Sequence, residues 1–330
     1  MSTAVARRTL AARPRVELVD LVIWVILAAL VVANLQLNPS FLELDNIYFT
    51  FGSALALVLA AMAAGLVMLI AEIDLAIGAV MTLANVCIAA WAPESLPLAL
   101  LLGSAVGVAC GLVAGGLVSF LRLPSIIVTL ALATVWGGVA LYVMEKPGGA
   151  APTELVDMIL GPVPLIACVA VGIAWSWFSR TKTGRRIYGL GSDELAAYLS
   201  GIPLHTTKLI VFGVAGLLLG WAGIALTAVT GGGDPLVGNP YTLQAITAAV
   251  LGGISFQGGR GTLWGAIAGA LVLVLITSVV QLSGVSAFYQ GVVNGGLLVA
   301  SVALSRLTTG RWLPLPRIAI ASRKGSEDGD

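Results

Sequence analysis

The sequence predicts an all-α protein: a polytopic transmembrane helical bundle with about ten spans. Three observations carry that prediction, namely composition, the spacing of apolar runs and the placement of basic residues. Apolar residues make up 58% of the 330 positions and charged residues only 10%, where soluble domains carry about 25% charge. So few charges could not cover a water-facing surface of this size, and a lipid-facing surface does not require them. The formal net charge of +1 argues against a nucleic-acid partner.

A helix needs roughly 20 apolar residues to cross a bilayer. Runs that qualify fall at 21–37, 52–71, 75–92, 97–121, 124–144, 162–179, 209–230, 243–257, 262–282 and 286–305. Segment 243–257 is short, which suits a re-entrant or strongly tilted helix. Residues 41–50 mix apolar and acidic side chains and suit an interfacial segment.

Basic residues cluster on the side that faces the cytoplasm. Arg7, Arg8, Arg13 and Arg15 precede the first run, and Arg122 separates the fourth from the fifth. Arg180, Lys182, Arg185, Arg186 and Lys208 fall between the sixth and seventh, Arg260 between the eighth and ninth, and Arg306 onward after the last. With ten spans all of these share one side. The opposite loops hold Lys146 as their single basic residue, beside Glu43, Asp45, Glu94, Glu145, Glu154, Asp157 and Asp234. The expectation is therefore a cytoplasmic tail over 1–20, a membrane domain over 21–305 with a cytoplasmic loop at 180–208, and a cytoplasmic tail over 306–330. No small-residue cleavage site follows the first run, so that run reads as a span rather than a cleaved signal.

Gly103, Gly107, Gly111 and Gly115 recur at every fourth position, a spacing that lets helix backbones approach closely. Cys87, Cys110 and Cys168 lie in apolar runs without metal or disulfide spacing, as small packing residues do.

The loop at 180–208 contains helix punctuation. Ser192 is a good N-cap, Asp193 and Glu194 sit where the helix dipole favours negative charge, Gly201 supplies a left-handed stop, and Pro203 prevents continuation. A helix of about eight residues is marginal alone, so something must hold it. Leu195, Tyr198, Leu199 and Ile202 fall on one face. That stripe either packs on the protein's own helix ends or docks a soluble partner. Arg185 and Arg186 equally serve as topology-setting charges.

Thr181, Gly184, Arg185, Tyr188, Gly191, Ala196, Ala197, Gly201 and Ile202 match, in order, the loop of the ribose-type permeases of bacterial ATP-binding-cassette (ABC) importers. Three further stretches resemble the same family. Arg122 to Leu130 is similar to its Pro-x-Phe-Ile-Val-Thr-Leu signature, with Ile126 in place of Phe. Leu251 to Gly261 is similar to Gly-Gly-x-Ser-x-x-Gly-Gly-Arg-Gly. Glu72 to Gly78 is similar to Gly-Ile-Asp-Leu-Ser-Val-Gly, with Glu72 and Ala76 as departures. The resemblance spans about residues 72–305 and includes permeases for rhamnose, ribose and autoinducer 2. It implies a type II-like importer fold that works as a second copy or paralogue pair. It also implies an ATPase subunit that carries ATP and Mg, and a periplasmic sugar-binding protein that docks near 145–161 and 231–242. No cofactor is expected on this chain. The resemblance assigns ATPase contact to the loop, and hence to Arg185, Asp193, Glu194, Leu195, Ala196, Ala197, Leu199 and Gly201. Ser192 and Asp193 replace the family's usual Gly-Asn pair.

No catalytic or metal-ligating constellation is expected. The chain lacks a Gly-x4-Gly-Lys-Ser/Thr loop, a His-Glu-x2-His motif and a Gly-x-Ser-x-Gly elbow. Polar groups within the apolar runs are the candidates for a translocation path: Asn85, Thr129, Gln244, Thr247, Gln281 and Asn294. Amides and hydroxyls meet sugar hydroxyls with donors and acceptors, but each can instead form an interhelical hydrogen bond. Glu72 and Asp74 stand at the end of the second run, where they either cap the next helix or line a gate. The reading is thus an importer permease for a simple sugar or sugar-like molecule. The alternatives are an ion- or proton-coupled secondary carrier, disfavoured because the deep runs hold no acidic relay, and a polytopic membrane enzyme.

Overall fold

The computed structural model describes residues 18–283 together with residues 292, 295 and 296. Among these the chain is all-helical, with α1 Leu18–Leu37, a 3₁₀ turn Pro39–Leu42, α2 Leu44–Leu69, α3 Ile77–Trp91 and α4 Leu96–Phe120. There follow α5 Ser125–Val143, α6 Thr153–Ile159, α7 Val163–Phe178, α8 Lys182–Ser192 and α9 Glu194–Leu199. The described helices close with α10 Leu204–Thr230, α11 Tyr241–Leu251 and α12 Leu263–Leu282.

The count of about ten spans is not confirmed. Five helices, α2, α4, α5, α10 and α12, are long and apolar enough to cross a membrane. The pair α6 and α7, bent by 66°, makes a sixth if taken as one span. The shortfall has a physical source. At about 1.5 Å rise per residue, the 15 residues of α3 extend roughly 22 Å and the 11 of α11 roughly 16 Å, short of a hydrocarbon core of about 30 Å. Each apolar run extends past its helix, over residues 75–76 before α3 and 252–257 after α11, so an apolar count sees a longer span than the helix the backbone makes. The candidate span 286–305, apart from residues 292, 295 and 296, and the tail 306–330 lie outside the described residues, as does the N-terminal tail up to residue 17.

Helix ends follow their local chemistry. Ser95 accepts from Leu98 N–H at the start of α4, with Pro97 in the first turn, and Thr262 accepts from Gly265 N–H at the start of α12. Gly231, at φ 71°, closes α10 in the left-handed conformation.

Helix α2 is the centre of the bundle. Every residue from 54 to 70 is buried, as expected of a helix that is apolar all round. It packs on α10, α11, α12 and α7, while α3 packs on α4, α5 and α10. The tightest pairing joins α4 and α10. A Cβ on Gly107 would collide with the carbonyl of Gly216, one on Gly111 with that of Phe212, and one on Gly220 with that of Gly103. The spaced glycines therefore form a backbone-to-backbone seam. The three cysteines are unpaired and buried.

Candidate docking and coupling site

The loop at 180–208 folds into two helices, where the sequence suggested one. Helix α8 begins at Thr181, whose hydroxyl accepts from Gly184 N–H at 3.2 Å. It buries Gly184, Ile187, Leu190 and Gly191 along one side. The 3–4 spacing of those four residues was the available signal, obscured because three glycines in eleven positions lower helix propensity.

Ser192 is not the N-cap. It ends α8, and its hydroxyl donates to the Tyr188 carbonyl at 2.8 Å. Asp193 caps α9 instead, accepting from Ala196 N–H at 2.9 Å, with Glu194 in the first turn. With Ser192 committed to α8, the cap moves one residue on. Gly201 takes φ 77° after the last turn and donates to the Tyr198 carbonyl, the left-handed stop.

The six-residue α9 is held in several ways. Ala197 is buried and Ile202 N–H donates to its carbonyl at 3.0 Å. Glu194 meets Lys208 Nζ at 3.0 Å. The apolar stripe divides: Ile202 packs against the core, whereas Leu195, Tyr198 and Leu199 are 68%, 65% and 77% exposed. Ala196 also faces outward, and Arg185, exposed, donates to the Arg180 carbonyl at 2.9 Å.

The four motif stretches, far apart in sequence, converge on the end of α2. Gly259 N–H donates to the Leu69 carbonyl at 2.9 Å, and the Tyr188 hydroxyl donates to the Gly261 carbonyl at 2.9 Å. Gly191 lies so close to the Leu69 carbonyl that no Cβ would fit. From the other side, Ser125 Oγ accepts from Ile73 N–H at 3.1 Å and Thr129 Oγ1 accepts from Leu75 N–H at 2.9 Å. The α2–α3 link thus runs along the first turn of α5 and stays satisfied without being helical.

Asp74 lies in this link, 8% exposed, and accepts from Ala76 N–H at 2.8 Å. Burial pushes its carboxyl from 3.8 up to about 6, and the Ala76 hydrogen bond works against that rise. A raised folded-state pKa means the fold favours the protonated form. The wild-type chain therefore gains stability as pH falls through 6 toward 4, and carries the full cost of a buried carboxylate above 6. Asp74→Asn keeps an acceptor without the charge. It should be more stable than wild type in detergent at pH 7.5, by at most about 3 kcal/mol, and so melt at a higher temperature. That advantage should disappear near pH 4. A lower melting temperature at pH 7.5 would contradict this.

The path candidates are dispersed. Asn85, fully buried, donates to Thr227 Oγ1 and the Gly232 carbonyl, each at 2.9 Å, and accepts from Asp234 N–H at 2.8 Å. It pins the loop after α10 to α3. Thr82, which the sequence did not mark, does the same lower down, accepting from Gly238 N–H at 3.0 Å. Thr129 is buried against the α2–α3 link, and Thr247 donates to the Leu243 carbonyl of its own helix at 2.7 Å. Gln244 is half-buried and Gln281 exposed, and Asn294 lies outside the described residues. At the end of the bundle away from α9, the two loops near 148 and 233 are joined. Gly148 and Gly233 exchange backbone hydrogen bonds at 2.9 and 2.8 Å, and Ala151 N–H donates to the Gly231 carbonyl at 3.1 Å.

Five or six candidate spanning helices, the enclosed α2 among them, with a short helix turning its apolar tip outward at one end, define a multi-pass membrane protein. The chain belongs to the family described as branched-chain amino acid transport system / permease component, whose model matches residues 46–302. It is 33% identical over 293 residues to the D-allose transport system permease protein AlsC of Escherichia coli K12, covering 86% of this chain and 90% of the relative. It is 36% identical over 281 residues to the ribose import permease protein RbsC of Bacillus subtilis, covering 82% and 87%. It is 33% identical over 279 residues to the autoinducer 2 import system permease protein LsrC of Enterobacter sp. 638, covering 81% of each. No solved structure matches the chain. The chain is a transport permease subunit, not an enzyme.

Proposed function

We propose that this chain is the membrane-spanning subunit of an ATP-binding-cassette importer and forms the path for a simple sugar or sugar-like molecule. The observation that carries the coupling is α9, which presents Leu195, Tyr198 and Leu199 outward from a rigidly capped helix. Three large apolar side chains projecting from a loop flanked by charges suit a protein partner. The sugar class rests on the names of the individual relatives, which align over four fifths of this chain. The family's description names amino acids instead.

In this reading the α9 end faces the cytoplasm of a bacterium, because Arg122, Arg185, Lys208 and Arg260 sit there. Both termini are cytoplasmic and the bundle lies in the inner membrane. ATP and Mg belong to an ATPase subunit seated on α9. A second copy or a paralogue completes the path, and a periplasmic sugar-binding protein seats on the joined loops near 148 and 233. Gln244 and Gln281 offer amides to passing hydroxyls, while Asn85, Thr129 and Thr247 brace the walls. Closure of the ATPases then rocks the permeases as rigid bodies.

The test is uptake by vesicles that hold this chain with and without its ATPase and binding protein. Sugar uptake is expected only when both are present with ATP. Uptake driven by the chain alone would favour a secondary carrier and sink the importer reading.

A further inference from the structure

Lys208 makes two ion pairs, to Glu72 Oε1 at 2.7 Å and to Glu194 Oε1 at 3.0 Å. It stands near the start of α10, Glu194 belongs to α9, and Glu72 belongs to the α2–α3 link. One ammonium thus ties the docking helix to a non-helical segment that enters the bundle. Its side chain is 12% exposed and that of Glu72 16%, whereas that of Glu194 is 58% exposed. The inner pair is shielded from water and the outer one is not. An exposed pair is weak and easily rearranged, and a shielded one is costly to break.

The surroundings leave room for movement. A cavity of about 670 Å³ lies beside the triad, lined by Ser119, Arg122, Tyr198 and His205 among others. On its far side the link is registered on α5 through Ser125 and Thr129. It then delivers the chain to α3, whose first turn meets the start of α11: Gly78 N–H donates to Thr242 Oγ1 at 2.9 Å. A displacement of α9 therefore has a continuous physical route, through Lys208 and Glu72, to the point where the two short helices begin.

We propose that Lys208, Glu72 and Glu194 form an ionic linkage that transmits movement of α9 to the α2–α3 link, and so sets how tightly ATP hydrolysis is coupled to transport. This rests on the docking role of α9 given above. Glu72 stands where the resembling motif carries glycine. The linkage adds to a mechanism that can run without it, so breaking it weakens coupling and does not abolish transport. Lys208 and Glu72 are positioning residues: they touch neither nucleotide nor cargo.

The experiment uses the whole importer in proteoliposomes and reads sugar transported per ATP hydrolysed, together with the amount of ATPase co-purified. Glu72→Gly should lower the transport-to-hydrolysis ratio about fivefold with ATPase capture unchanged, and Glu194→Gln should lower it as much when read per ATPase captured. Inverting the triad with Glu72→Lys, Lys208→Glu and Glu194→Lys should restore most of the ratio, which generic loosening of the fold would not. A ratio within twofold of wild type in both single variants would overturn the proposal. So would a defect in Glu194→Gln confined to ATPase capture, with a normal ratio per ATPase captured, because Glu194 would then be only a docking contact. Should the inverted triad fail to accumulate, the two single variants decide. Failure of the docking reading has a different signature, namely capture that survives disruption of the apolar tip.

Discussion

Changing Leu195 and Leu199 together to Asp is expected to weaken capture of the ATPase subunit at least about 100-fold, while the chain still inserts and accumulates. Each side chain is more than two-thirds exposed, so neither contributes to the chain's own core. Truncating an interface anchor costs about 1–4 kcal/mol, and a carboxylate placed in an apolar partner surface adds desolvation. Two such losses multiply. The measurement is co-purification of the ATPase with the solubilised chain, beside the quantity of chain in the membrane. Ala197→Asp provides the contrast. That residue is buried and faces the bundle, so its change should lower accumulation as well as capture. Normal capture by the Leu195 and Leu199 variant would remove the docking role from α9.

Gly111→Leu is expected to be among the most damaging single changes in the membrane domain. At this position a Cβ meets the Phe212 carbonyl and the Gly216 backbone. Backbone cannot rotate aside as a side chain can, so α4 and α10 must separate. Overpacking a well-filled core costs about 1–3 kcal/mol, and a backbone collision sits at or beyond the upper end. Without a hydrophobic drive between helices in lipid, close packing is what holds this pair together. The expected result is a sharp fall in folded protein on extraction, read as loss of the monodisperse species. Gly116→Leu is the control: its Cβ would meet nothing within 4 Å. Equal behaviour of the two variants would mean that the seam is not what holds α4 to α10.

The seam shows what spacing alone makes legible. Four glycines at every fourth position read as a close helix approach before any partner is known, and the partner then proves to be α10. In the same way, the Ser192–Pro203 punctuation marks a short helix, although its cap lies at Asp193 rather than Ser192. A side chain already used by the preceding helix cannot cap the next one, and the glycines of α8 obscure the local spacing that marks it. The count of about ten spans is not confirmed by the described helices. Apolar runs near 75–92 and 243–257 have the composition of full spans, yet α3 and α11 are shorter helices, because the chain beside them leaves the helix and finds hydrogen-bond partners in distant segments. Burying such links requires partners from distant segments, and pairings of that kind leave no trace in a local window.

Composition and periodicity by themselves determined that this is a membrane protein built of helices and that loop 180–208 carries a helix. Those are properties of single segments meeting lipid or water, so the residues of each segment suffice to state them. Only the tertiary structure decided which way the α9 stripe faces, that four separated motifs meet at the end of α2, and that Glu72, Glu194 and Lys208 form one ionic cluster. Each of these depends on distances between residues more than 50 positions apart, save the Glu194–Lys208 pair, and such distances are set by packing and not by local preference.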